Sequence, residues 1–212
     1  MLQSAKEYNM IVGIDFSINS TAVAIRANTK ILLFSFVPNY NSDLKAFKYH
    51  KELSEAKTIN VFSYNKDKPS KNSVEDQAIK LKNADDLSDS IMDIFEFTGI
   101  TPSEIRIEGF SYGSKGNSFI DLITFNTFLK VKLIQKFGHI IKVVPPKTLK
   151  KAYTGNGNAT KCDMMRFFVE NSDSPLKRKI VEMDIIREGE FNIPKPFDDL
   201  IDSIALVSSE VS

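Results

Sequence analysis

From Met10 to Asp15 the chain runs MIVGID, an almost unbroken apolar stretch that ends in an acid. Such a run predicts a strand buried on both faces, with its C-terminal end emerging at the surface. Thr21 to Arg26 (TAVAIR) and Lys30 to Val37 (KILLFSFV) predict two more strands, and Ala27, Asn28 and Thr29 read as the turn of an antiparallel meander. Pro38 to Asn72 is polar, rich in Lys, Asn, Asp and Tyr, and without a clear period, which reads as a long excursion or partly mobile loop. Helical spacing returns between Val74 and Phe97 with Leu87, Ile91, Ile94 and Phe95, and Gly99 and Pro102 stop it. Ile105 to Glu108 (IRIE) alternates as a strand. A glycine-containing loop then leads to a helix from Phe119 to Phe137, with Gly138 placed as its C-cap. Ile140 to Val144 is a further strand, stopped by Pro145 and Pro146. A short Lys-rich helix follows, and the loop GNGN enters a helix near Thr160 that carries Lys161, Met164, Met165 and Phe168 on one side. The last element is a helix from about Phe197 to Ser208. Three strands, helix, strand, helix, strand and helices together predict an α/β sheet of mixed direction.

Composition narrows the chemistry. With 212 residues, 42% of them hydrophobic, the chain can bury one sizeable core, and without a repeat or linker a single domain over residues 1–212 is expected. No apolar run approaches the roughly 18 residues of a membrane span, and MLQSAKEYNM has no apolar signal region, so a cytoplasmic protein without a membrane partner is expected. A single cysteine, Cys162, and two histidines cannot build a common structural zinc site, so any metal should be oxygen-bound. The net charge of +1 says little, but Lys130, Lys132, Lys136, Lys142, Lys147, Lys150 and Lys151, with His139, follow one another without an intervening acid. This basic segment reads either as a solvated face or as a phosphate-binding one.

Four acids fall where the layout would gather them. Asp15 ends the first strand and Glu108 the fourth, and Asp199 and Asp202 are spaced i, i+3 on the last helix. Asp198 is i, i+4 from Asp202, so the register of the first helical acid is open by one residue. Crowded carboxylates repel unless a cation neutralises them. Oxygen ligands without His or Cys suit Mg²⁺ or Mn²⁺, and two such ions about 4 Å apart would clamp the attacking and leaving oxygens of a phosphodiester.

The stretches IVGIDFSINSTAVAI, IRIEGFSY, TGNGNATKCDMM and DDLIDSIALV, about half of the chain, resemble in the same order the acidic and glycine motifs of the RuvC family of Holliday-junction resolvases, in a phage or mobile-element type. Insertions near 38–72 and 172–196 enlarge the spacing. The resemblance implies a ribonuclease H-like mixed five-stranded sheet flanked by helices, and a crossover junction endodeoxyribonuclease acting as a homodimer on branched DNA, preferably four-way junctions. It implies two Mg²⁺ ions, replaceable by Mn²⁺, held by Asp15, Glu108, Asp199 and Asp202, with Lys161 as a further catalytic group. Lys161 also attracts notice physically, because a lysine in a helix's first turn opposes the helix dipole unless an anion rests there. Lys147, Lys150, Lys151, Gly155, Gly157 and Lys161 are the expected phosphate contacts. Phe110 and Tyr112 resemble the aromatic residue with which family members stack on opened bases, although alternation leaves either one facing the core. The helix from Phe119 to Phe137, with Phe119, Phe125, Phe128 and Leu129, matches the family's dimer helix.

The chain departs from the family pattern in GIDFS, where many resolvases have Pro and Gly, and in lacking a His in the last motif. Alternatives are a nuclease on flaps or replication forks, a non-cleaving junction-binding protein, and an actin-like or sugar-kinase ATPase. The ATPases share the GIDFS-type loop but generally duplicate the fold, for which 212 residues with one copy are too short.

Overall fold

The computed structural model describes residues 9–110, 117–186 and 193–210. The early alternation folds as a meander: β1 (Met10–Asp15), β2 (Thr21–Ala27) and β3 (Lys30–Pro38) pair antiparallel, Ala27 facing Lys30 across a turn in which Asn28 takes φ 57°. Asparagine is among the few residues that accept this left-handed backbone. On the other side of β1, β5 (Glu104–Glu108) pairs parallel, and β6 (Ile141–Val144) lies parallel beyond it. In the order β3-β2-β1-β5-β6 the strands are antiparallel on one side of β1 and parallel on the other, a mixed sheet that with its flanking helices is of the α/β class.

The sheet has six strands among the described residues, not five. The segment from Pro38 to Asn72 is structured: a 3₁₀ turn (Lys45–Phe47), α1 (Lys48–Glu55) and β4 (Asn60–Tyr64), which adds parallel to β3 at the sheet edge. β4 is only five residues long, and of these only Tyr64 is buried. An edge strand that short, with one buried side chain, leaves no readable hydrophobic period.

Strand alternation sorts the side chains into two cores. Val12, Ile14, Val23, Ile25, Ile105 and Ile107 pack against α2 (Ser73–Thr98) and α3 (Asn117–Phe137). Ile11, Ala22 and Ala24 face α7 (Phe197–Ser208), which is covered in turn by α4 (Pro146–Thr154), α5 (Lys161–Asn171) and α6 (Pro175–Glu182). Asn72 caps α2, its side chain accepting from the Val74 amide at 3.0 Å, and Gly99 ends it with φ 65°. No helix among the described residues is long and apolar enough to cross a membrane.

α7 is buried nearly all round, so its C-terminal carbonyls cannot rely on water. Arg106 supplies the partners: from mid-β5 it donates to the carbonyls of Leu206 (2.8 Å) and Ser209 (2.6 Å) while pairing with Glu104. Arg106→Leu should therefore lower stability by about 2–4 kcal/mol, since each buried bond from a charged donor contributes roughly 1.5–3 kcal/mol. An unchanged urea midpoint would show that α7 does not depend on this cap.

Candidate metal centre

Asp15 shares its strand face with Ile11 and Gly13, the side on which α7 lies. In β5, Glu104, Arg106 and Glu108 share the face from which Arg106 reaches α7, while Ile105 and Ile107 point to the other core. The parallel register sets Ile14 beside Ile107, so Asp15 and Glu108 close neighbouring strands side by side. Asp202 descends on them from α7. Ligand oxygens of Asp15, Glu108 and Asp202 all lie within 4.8 Å of one another.

Burial and mutual repulsion disfavour the ionised form throughout this cluster. Burial, and then the charges of Asp199, Glu108 and Asp202, raise the Asp15 pKa well above the usual carboxylate range. Burial and Glu108 push Asp202 up to about 8. Glu108 is raised by burial against the opposing effects of its hydrogen bond with Asp15 and of Lys150 and Lys161. Three hard oxygen ligands that are reluctant to ionise together fit a divalent cation such as Mg²⁺ or Mn²⁺.

The acids that open α7 have other partners. The Ser20 hydroxyl donates to Asp199 Oδ2 at 2.6 Å, and the Lys195 ammonium pairs with Asp199 Oδ1. Asp198 Oδ2 pairs with Lys161 and, at 3.0 Å, with Lys195. Of the two candidates for the first helical acid, Asp199 is the one whose charge acts on Asp15. The anion that meets Lys161 is thus the Asp198 carboxylate, and the N-terminus of α5 is closed by a reciprocal box: Thr160 accepts from the Asp163 amide (3.1 Å) while Asp163 accepts from the Thr160 amide (2.8 Å).

The basic segment is not one surface. Lys132 pairs with Asp85 (2.6 Å) and Asp89, Lys136 with Glu96 (3.3 Å) and Lys142 with Glu104 (2.8 Å). Lys130 reaches the Phe110 ring, and the three lysines of α4 remain: Lys147 and Lys151 are exposed, and half-buried Lys150 bears on Glu108. Gly155 ends α4 with φ 80°, and Gly157 lies so close to the helix that a Cβ there would stand 3.2 Å from the Lys147 carbonyl. Phe110 is half-buried, edge-on to Phe119 at 5.6 Å, with the Lys130 ammonium 5.6 Å from its ring centre. Tyr112 lies outside the described residues. On α3, Phe125 and Leu129 belong to the core, while Ile120, Ile123, Val131 and Ile134 are exposed.

Sequence reading missed Ser20, Lys195 and Tyr153, whose hydroxyl pKa is raised by burial and also by Asp202. Lys195 stands i, i+3 from Asp198 and i, i+4 from Asp199, spacings that could have pointed to it. It also missed what the 38–72 segment does: the Tyr64 hydroxyl donates to the Ile18 carbonyl and Lys66 to the Asn19 side chain. Both bonds hold the β1–β2 loop, which brings Ser20 to Asp199.

No family model matches the chain, and no curated protein matches it. Among solved structures it is similar to Thermus thermophilus RuvC, with 14% identity and a TM-score of 0.44 over 93% of this chain and 92% of that one. It is also similar to T. thermophilus RuvC in complex with a Holliday junction substrate, with 15% identity and a TM-score of 0.45 over 94% and 90% of the two chains.

Proposed function

We propose that this chain is a divalent-metal-dependent DNA endonuclease that cuts branched DNA, four-way junctions above all, leaving 5′-phosphate and 3′-hydroxyl ends. One observation carries the reading: the Asp15, Glu108 and Asp202 carboxylates converge within 4.8 Å at the mouth of the sheet, beneath the lysines of α4 and α5. These three residues hold the first cation, and Asp199 is the ligand for a second. Mg²⁺ or Mn²⁺ bound there supplies the Lewis acidity that polarises a phosphate and a water molecule. Lys150 and Lys161 balance charge growing on the phosphate oxygens, and Lys147 and Lys151 add backbone contacts, so binding weakens steeply with salt. Phe110, at the end of β5, is the stacking surface for an unpaired base. The exposed Ile120, Ile123, Val131 and Ile134 of α3 form the contact with a second copy, which places two sites for paired cuts.

The test is cleavage of end-labelled four-way junctions, flaps, forks and linear duplex in Mg²⁺. Paired nicks on the junction are expected, with losses on the order of 10³-fold in Asp15→Asn and about 10²-fold in Lys161→Ala. Wild-type rates in Asp15→Asn would remove the proposed centre. Tight junction binding without scission would make the protein a binding module, and preference for flaps or forks would reassign the substrate.

A further inference from the structure

We propose that Lys195 is a tethered counter-ion standing in the place of a second divalent cation: the free protein takes one ion on Asp15, Glu108 and Asp202, and admits another on Asp199 only once the Lys195 ammonium withdraws. The inference rests on the metal-centre reading above.

Asp199 is 2% exposed, and both of its oxygens are engaged, one by the Ser20 hydroxyl at 2.6 Å and the other by Lys195. Each oxygen thus has a partner, and the Lys195 ammonium already balances this carboxylate, whose charge reaches Asp15. Lys195 also binds Asp198 Oδ2 at 3.0 Å, so one ammonium spans the two acids that open α7. Asp198 Oδ1 is buried with no hydrogen-bond partner among the described residues, so this pair of acids retains unmet capacity for a cation. Five carboxylates, Asp15, Glu108, Asp198, Asp199 and Asp202, are matched by three ammonium groups, Lys150, Lys161 and Lys195. With all of them ionised, one divalent ion neutralises the remainder, and a second would be in excess while Lys195 stays.

Lys195 rather than Lys161 is the group that must leave. Both side chains reach solvent, Lys161 55% and Lys195 45% exposed, but among the described residues Lys161 pairs with Asp198 alone, whereas Lys195, ahead of α7, is the ammonium on Asp199, so its departure is the one that frees that carboxylate. An incoming nucleic-acid phosphate offers its ammonium another anion, so the strand itself would vacate Asp199. An ammonium neutralises a carboxylate but leaves no open coordination position, so the second ion's chemistry would be withheld until the strand is in place.

The test counts Mn²⁺ ions bound without DNA, by loss of the free-ion electron paramagnetic resonance signal and by calorimetry. One ion is expected for the natural chain and two for Lys195→Met, the second bound about tenfold or more tighter than any second ion of the natural chain. Lys195→Arg, which keeps the charge, and the double variant Lys195→Met with Asp199→Asn should each return to one. Lys195→Gln is measured in parallel, with melting curves, so that a misfolded variant does not decide the matter. Two ions of comparable affinity in the natural chain would overturn the proposal, as would counts and affinities in Lys195→Met and Lys195→Gln equal to those of the natural chain, or tightening of a single ion without a second. If the natural chain binds no Mn²⁺ and Asp202→Asn changes nothing, the metal-centre reading fails instead.

Discussion

Asp202→Asn is expected to make the metal-free protein more stable than the natural chain above pH 6.5, and to remove most of its stabilisation by Mg²⁺. The Asp202 pKa stands at about 8, against about 3.9 for an unfolded aspartate. The folded state therefore holds a proton that the unfolded chain releases, and the associated stability is complete below about pH 4 and lost as the pH rises to about 8. Asp15 shifts in the same direction. His50 acts with the opposite sign. Burial lowers its pKa to about 4 from 6.5, so its contribution is complete above pH 6.5 and is lost as the pH falls toward 4. The interval from pH 6.5 to 8.5 is accordingly the one in which the acids dominate.

Asparagine at 202 cannot ionise, so melting in EDTA should be flatter with pH and several degrees higher, reflecting a difference on the order of a few kcal/mol. Millimolar Mg²⁺ should raise the natural chain's melting temperature by neutralising the cluster, and have little effect on the variant. A flat metal-free profile in the natural chain, or equal Mg²⁺ shifts in both proteins, would mean that these carboxylates do not share a buried site. The same substitution should lower cleavage on the order of 10³-fold, so stability and activity move in opposite directions.

Much of this arrangement is legible in the sequence, because burial on both faces writes a simple pattern. MIVGID is a central strand whose last residue reaches the rim, and IRIE alternates so that Glu104, Arg106 and Glu108 share one face. Those two segments, with D-x-x-D on the last helix, bring Asp15, Glu108 and Asp202 together by topology alone. β4 escapes because an edge strand of five residues with one buried side chain carries no period. The partners of the α7 acids escape for another reason. Ser20 is 179 residues from Asp199, and whether a lysine faces solvent or an acid is decided by tertiary approach, as Lys132, Lys136 and Lys142 show by pairing with α2 and β5 acids instead of forming one basic face. Likewise the apolar residues of α3 were visible, but which ones face outward depends on how α2 lies along that helix.

Gly13→Ala is expected to damage both the fold and the site, although Gly13 touches no ligand. In mid-β1 it is paired with Ala24 of β2 and Arg106 of β5, on the face that receives α7. A Cβ there would stand 2.6 Å from the Ser203 carbonyl oxygen, 2.7 Å from Leu206 Cβ and 2.9 Å from Val207 Cγ1. Two of these atoms are backbone or Cβ, so no rotamer change relieves the clash and α7 must move as a body. Overpacking of this kind costs roughly 1–3 kcal/mol. Ser203 directly follows Asp202, so outward movement of α7 draws the third carboxylate away from Asp15 and Glu108, which are fixed in the sheet. A displacement near 1 Å can cost on the order of 10²-fold in rate. The expected signature is a lower urea midpoint together with Mn²⁺ affinity and cleavage reduced at least about tenfold, and a greater loss for Gly13→Val because each added methyl deepens the same clash. Ala24→Gly provides the control, since it weakens the neighbouring strand without pressing on α7. If Gly13→Ala keeps natural Mn²⁺ affinity while losing stability, the sheet rather than α7 yields, and the close seating of the helix does not set the position of Asp202.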